Sequence, residues 1–382
     1  MITCQKELFS LDDEQTYLNC AYMSPILKSV EEAGIEAIKG KRNPAKISAQ
    51  DFFTDGESLR ASYAKLINAS DPKRIVIIPS VSYGISTVCK NVALKKGQKV
   101  VVIGEQFPSN YYPWKRLCDE NRGKLITISA PKGEDRGKHW NEAIFDAIDE
   151  SVAVVAMANV HWADGTLFNL ERIRKRTKEV GALLIIDGTQ SVGALPIDVA
   201  KLQPDALICA GYKWLLGPYS IGLAYFGKVF DNGVPIEENW INRFESENFA
   251  ALVSYNDHYQ EGALRYEVGE HSNFILVPML KKAIDQLNSW GVENIQAYCK
   301  QLFVEANISL TTAGYNIENP NYRSAHLFGI RCNDISKMDK IKLALQDNKI
   351  SVSVRGDAIR VAPHLYNDQQ DVEKLVHVLT SH

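Results

Sequence analysis

Short, β-rich apolar runs recur through the first two thirds of the chain: "RIVIIP", "KVVVIG", "KLITIS", "VAVVAMANV", "ALLIID" and "ALICAG". Between them, segments such as "WNEAIFDAID" and "NLERIRKRTKEVG" carry apolar residues at helical spacing, and in the second a Gly follows the last turn. Strands apolar on both faces and separated by helices predict a mainly parallel sheet covered on both sides, an α/β fold. After Gly262 the texture changes. "NFILVPMLKKAIDQLNSWGVENIQAYCKQLFVEANISL" reads as long helices. Strand-like "HLFGIRC", "ISVSVR" and "AIRVAP" follow, with helical "ISKMDKIKLALQDN" among them and a closing helix from "QQDVEKLVHVL". The expected division is a large α/β domain over 16–262 and a smaller α+β domain over 263–382 together with 1–15. A chain of 382 residues exceeds what one core usually supports, so two units fit its length.

Composition narrows the partners. Hydrophobic content of 45% and charged content of 23% exclude a disordered or fibrous class. A formal net charge of -3 gives no electrostatic reason to expect nucleic acid or an anionic membrane. The start, "MITCQKELFSLDDEQTYLNC", lacks a basic segment leading into an apolar core, and no later run reaches membrane-spanning length, so a cytoplasmic location is expected. Seven scattered cysteines without a CxxC argue against a zinc site or a disulfide framework, and no metal is expected.

Candidate chemistry centres on "GYKWLLGP", which sets Lys213 between two aromatic rings. Such a lysine either snorkels its nitrogen into water or has a lowered pKa and a covalent role as a Schiff-base amine. Ligands of open α/β sheets bind at the carboxyl ends of strands, which singles out the polar residues just past each apolar run. Asp187 ends "LLIID", with Gln190 three residues on; a helix N-cap is the bland alternative for the aspartate. Ser80, Val81 and Ser82 follow "IVIIP" into a helical stretch, a phosphate cradle or a plain serine cap. Phe107 follows "VVVIG" as a stacking ring or a core aromatic, and Arg360 in "AIRVAP" offers a fork for a carboxylate or a surface ion pair. A lysine and a carboxylate at neighbouring strand ends form either an ion pair or the two poles of a pyridoxal phosphate site.

"IIDGTQSVGALPIDV" followed by "PDALICAGYKWLLGPYSIGLAYF" resembles the signature of class V, fold type I pyridoxal-phosphate enzymes, a family with cysteine desulfurases, selenocysteine lyases, kynureninases and isopenicillin N epimerases. The likeness runs from "YLNCAYMSP" to "APHLYN". It implies that Lys213 carries the cofactor, Asp187 faces the pyridine nitrogen, and Gln190 donates to the ring hydroxyl. It also implies that Ser82 and the Val81 backbone hold phosphate, Phe107 stacks, and Arg360 with Asn19 binds substrate. Tyr212 stands where desulfurases carry His and resembles the kynureninase tyrosine that reaches the phosphate. His161, beside Trp162 in "NVHWADGT", is a cofactor contact or a core histidine. "RYEVGEHSNF" replaces the partner-subunit phosphate contact, with Glu270, His271 and Ser272 as substitutes and Ser272 taken as the cofactor contact. Only "GDAI" separates Arg355 from Arg360, where desulfurases insert their nucleophilic cysteine.

The resemblance thus implies a homodimeric enzyme acting on an amino acid through an external aldimine and a Cα carbanion, as an aminotransferase or an isopenicillin N epimerase-like enzyme. A cysteine or selenocysteine lyase, or a kynureninase-like enzyme cleaving at Cβ, is the alternative. A non-catalytic cofactor-binding sensor is more remote, since no helix-turn-helix extension flanks the domain.

Overall fold

The computed structural model describes residues 2–381. The strands in chain order are β1 (Thr16–Tyr17), β2 (Ile75–Ile78), β3 (Lys99–Ile103), β4 (Lys124–Ile128), β5 (Val152–Ala158), β6 (Leu183–Asp187), β7 (Ala206–Ala210) and β8 (Gly222–Phe226). They continue as β9 (Tyr315–Ile317), β10 (Phe328–Cys332), β11 (Ile350–Ser351), β12 (Ser353–Arg355) and β13 (Ala358–Val361). The first seven helices are α1 (Lys28–Gly40), α2 (Asp51–Leu66), α3 (Val81–Lys90), α4 (Tyr112–Asn121), α5 (Arg136–Asp146), α6 (Leu170–Val180) and α7 (Val199–Leu202). Then come α8 (Leu276–Trp290), α9 (Val292–Leu302), α10 (Val304–Thr312), α11 (Met338–Asp347) and α12 (Gln369–Thr380).

Among the described residues, seven strands form the central sheet in the order β2-β8-β7-β6-β5-β3-β4. β3 to β7 run parallel, and β8 is reversed against both β2 and β7. The apolar runs divide their side chains between two cores. Ile77, Val101, Val155, Ile186 and Leu207 face one helical layer, while Val76, Val102, Val154, Ile185 and Ile208 face the other. Burial on both faces is why the sequence shows runs rather than alternation. The chain turns from β3 to β4 on one side and to β5 on the other, so β3 and β5 flank a switch point whose crevice opens at the strand carboxyl ends.

A four-stranded antiparallel sheet, β12-β13-β10-β9, carries α10, α11 and α12 over a third core built on Phe303, Phe328, Ile330, Ile359 and Leu375. β1 pairs in parallel with β11, and Asn19 bridges to Ala362 just past β13. This ties the amino-terminal segment to the strand that bears Arg360. Helix α8 puts Leu280, Ala283, Ile284 and Leu287 into the core of the seven-stranded sheet.

Candidate active site

The residues at the carboxyl ends of β2, β3, β5, β6 and β7 converge on one cavity of about 380 Å³. Lys213 follows β7. Its loop is closed by Gly211 N–H donating to Ile221 O at 2.9 Å, Gly217 N–H to Gly211 O at 2.9 Å and Leu216 N–H to Lys213 O at 3.0 Å. A Cβ on Gly211 would lie 2.6 Å from Ile221 O, so glycine is required for the closure. Lys213 is only 7% exposed, so it does not snorkel. Its Nζ lies 5.5 Å from the ring centres of Phe107 and of Tyr212, and it has no hydrogen-bond or ion-pair partner among the described residues.

Asp187 ends β6 and enters a turn, not a helix, which removes the N-cap alternative. Its Oδ1 accepts from the Thr189 N–H at 3.0 Å. Gln190 is oriented by Trp214: the indole Nε1–H can only donate, so the atom 2.8 Å away is the amide oxygen. The Gln190 amide nitrogen gives one hydrogen to Ala21 O at 3.1 Å and keeps a second. No ion pair within 4.0 Å joins Asp187 to Lys213, so the cavity wall carries opposite charges that do not meet.

Helix α3 begins at the same cavity. Ser80 is its N-cap, accepting from Tyr83 N–H at 3.2 Å, and its Oγ lies 2.9 Å from the Ser82 Oγ. The N–H groups of Val81 and Ser82 have no acceptor among the described residues, as is usual for first-turn amides. The serine cap is therefore present, and the free first-turn amides beside it have the chemistry that an anion cradle needs.

Arg360 is 1% exposed. Its Nη1 donates to Trp162 O at 2.8 Å, and its Nη2 to Ser353 Oγ at 3.1 Å and Asn19 Oδ1 at 3.3 Å. Its Nε is buried without a partner, and no carboxylate pairs with it among the described residues. Arg360 is thus no surface ion pair. Asn19 Nδ2 has no acceptor among the described residues, leaving a donor beside the guanidinium. His161 lines the cavity, but its Nδ1 lies 3.0 Å from Asp164 Oδ1 and its Nε2 3.2 Å from Glu105 O, while its ring packs edge-on against Trp140. With both nitrogens engaged, His161 has none free for a ligand. Asp164 opposes its own burial with the His161 hydrogen bond and with Arg136 and Arg331, which together hold its carboxyl well below the usual range.

Burial lowers the Lys213 amine to about 8; Asp187 opposes that shift and Arg360 adds to it. Burial raises Asp187, against the Thr189 bonds and Lys213. Each pole is pushed toward neutrality because burial outweighs the attraction of the other, more distant charge. A partnerless amine, a buried carboxylate and a helix start with free amides together fit an aldehyde, a protonated ring nitrogen and a phosphate.

The description aminotransferase class-V matches residues 36–375. The chain belongs to the class V aminotransferase family. That family is pyridoxal-phosphate-dependent, and this chain is a class V enzyme of that kind. It is 26% identical over 325 residues to an uncharacterized aminotransferase, YcbU, of Bacillus subtilis (strain 168), covering 84% of this chain and 82% of that one. A probable cysteine desulfurase of Methanothermobacter thermautotrophicus is 25% identical over 350 residues, covering 84% of this chain and 81% of its own. In fold the chain resembles the apo cysteine desulfurase of Thermococcus onnurineus NA1, with a TM-score of 0.83, 22% identity and coverage of 100% and 98%. It also resembles the cystine C-S lyase C-DES, with a TM-score of 0.84, 17% identity and coverage of 96% and 98%.

Other candidate residues of this class V chain lie off the wall of that cavity. Ser272 does not line the cavity of its own chain. Glu270 is exposed, and His271 is buried against Glu267 and Phe53. The β12–β13 hairpin turns through Gly356 and Asp357 alone, and none of the cysteines lines the cavity. Cys332 lies on β10, its thiol 3.2 Å from Asp334 O. Sequence reasoning passed over Gln106, Thr189, Tyr219 and Ser220, all on the cavity wall. Thr189 sits between two residues it did select, and its Oγ1 accepts from Ala210 N–H at 3.3 Å, joining the Asp187 turn to β7.

Proposed function

We propose that this class V chain is an aminotransferase or an isopenicillin N epimerase-like enzyme, working at the Cα of an amino acid. The observation that carries the reading is the buried, partnerless Lys213 amine facing a cavity shared with Asp187. Lys213 would hold pyridoxal phosphate, with Asp187 toward its ring nitrogen and Gln190 toward its ring hydroxyl. Val81, Ser82 and Tyr212 would hold the phosphate, and Phe107 would lie against the ring. When bound, the cofactor supplies an electron sink that stabilises negative charge at Cα.

Arg360 and the Asn19 amide orient the substrate by its α-carboxylate, a charge-assisted fork in a water-poor setting. Phe107, Ile103, Ala158 and Val160 keep the cavity wall apolar. Lys213 Nζ would carry protons to and from Cα. An amine lowered to about 8 holds both protonation states near neutral pH, as a general acid–base group needs. His161 positions the Glu105 and Asp164 segments.

A second reading is cleavage at Cβ, including release of sulfur or selenium without an enzyme thiol. It is favoured by the cysteine-free cavity together with likeness to relatives named as desulfurases. We further place residues 16–262 as the cofactor-carrying unit and 263–382, with 1–15, as the small one. The assembly would be a homodimer in which Ser272 reaches the partner's cavity, and its location the cytoplasm. Among the described residues no helix is long and apolar enough to cross a membrane.

The deciding experiment adds pyridoxal phosphate to purified protein and then a panel of amino acids, with products identified by mass. Keto acid or inverted amino acid supports the first reading, and sulfide, selenium or a shortened side chain the second. Protein that stays colourless with the cofactor refutes both.

A further inference from the structure

Beside Arg360 stands a second guanidinium with no role in the chemistry above. Across the β12–β13 hairpin Ser353 pairs with Arg360 and Arg355 with Ala358. Residues two apart on a strand share a face, so Arg355 lies on the face of Ser353, whose hydroxyl accepts from Arg360 at 3.1 Å. Arg355 is therefore the diagonal neighbour of Arg360, about 7–8 Å away.

Trp162 contacts both. Its carbonyl accepts from Arg360, and its ring centre lies 5.5 Å from the Arg355 guanidinium carbon. Arg355 Nη1 donates to Val354 O at 2.9 Å, while its Nε, which is buried, and its Nη2 have no acceptor among the described residues. That leaves a two-donor edge of the kind that meets a carboxylate. Among the described residues no acid lies within 4.0 Å of Arg355. The acids of its cleft face other cations: Asp164 pairs with Arg136 at 2.8 Å and Arg331 at 2.6 Å, Asp357 with Arg331, and the exposed Glu105 lies 3.9 Å from Arg136. The cleft, about 820 Å³, adjoins the cofactor cavity and shares Gln106 and Trp162 with it. Two unpaired cations on one face repel each other, and a pair of linked anions relieves both.

We propose that Arg355 selects substrates with a second carboxylate, an α-amino acid whose side chain ends in a carboxylate held on Arg355 while its α-carboxylate sits on Arg360. The proposal rests on the reading of Arg360 as the α-carboxylate clamp. Charge-assisted hydrogen bonds of this kind correspond to about a tenfold to hundredfold preference.

The test titrates the cofactor-loaded enzyme with glutarate and with butyrate, and compares L-glutamate and L-aspartate with L-glutamine and L-asparagine by kcat/KM. Wild type should prefer glutarate and the acidic amino acids by about tenfold or more. Arg355→Gln should bring both ratios close to one, and Arg355→Lys should restore part of them, with the visible cofactor band confirming a folded protein. A wild-type ratio near one, or a ratio untouched by Arg355→Gln, overturns this inference alone. If Arg360→Gln weakens neither glutarate nor butyrate, or no amino acid alters the cofactor spectrum, the clamp reading fails and takes this inference with it.

Discussion

The indole of Trp214 donates to the Gln190 side-chain oxygen at 2.8 Å. The residue after Lys213 thereby clasps the turn that starts at Asp187, and His326 Nε2, 2.8 Å from Gln190 O, supports the same turn from the small sheet's side. Gly193 makes the clasp possible: at φ +98 its missing Cβ would lie 2.2 Å from Trp214 O. The spacing between the amine and the carboxylate is thus set by packing behind them.

Gly193→Ala should therefore disturb both loops at once. We expect a loss of at least about 2 kcal/mol of stability, from left-handed backbone strain and the carbonyl contact together. Thermal unfolding with and without cofactor checks this; an unchanged midpoint in both would contradict it.

Lys213→Ala should abolish the visible absorbance of the lysine-linked cofactor while leaving the fold intact by circular dichroism. Undiminished absorbance would place the covalent bond elsewhere.

Asp187→Asn keeps the shape but removes the charge that would face the ring nitrogen. Turnover should fall about a hundredfold or more, with cofactor still bound in part. Wild-type turnover in this variant would rule out the assigned role.

Attachment of pyridoxal phosphate to cofactor-free enzyme should track the neutral Lys213 amine. Because burial lowers that amine to about 8, the rate should rise with pH and level off just above 8, not continue toward the ordinary lysine value of 10.5. Stopped-flow absorbance across pH 6 to 10 reads the inflection directly, and an inflection near 10.5 would count against a buried amine.

His326 and His364 give an acid limit. Burial lowers His326 to about 4 and His364 to about 3; the Gln190 bond partly offsets the first, and His326 adds to the second. The unfolded chain protonates both near 6.5 and the folded chain does not, so it binds more protons as pH falls. Their stability is fully present above 6.5 and is lost progressively below it, by about 1.4 kcal/mol per pH unit for each histidine, down to the folded values. Denaturant titrations at pH 7 and pH 5 should show the drop, and His364→Phe should reduce it; equal midpoints would dismiss the mechanism.

How far the sequence carried the argument is clearest residue by residue. Lys213, Asp187, Gln190, Ser82 and Phe107 were legible because a parallel sheet delivers whatever follows its strands to one edge, so short-range pattern sufficed. Composition and apolar runs determined the α/β class for the same reason: burial on both faces leaves a local signature. Tertiary structure alone decided the rest. The bridge of Asn19 to Ala362, the rotation of His161 onto Asp164 and Glu105, and the shared face of Arg355 and Arg360 join segments far apart in the chain or depend on register. Periodicity cannot encode such meetings, because hydrogen-bond partners and charge neighbours are chosen only when separate elements pack.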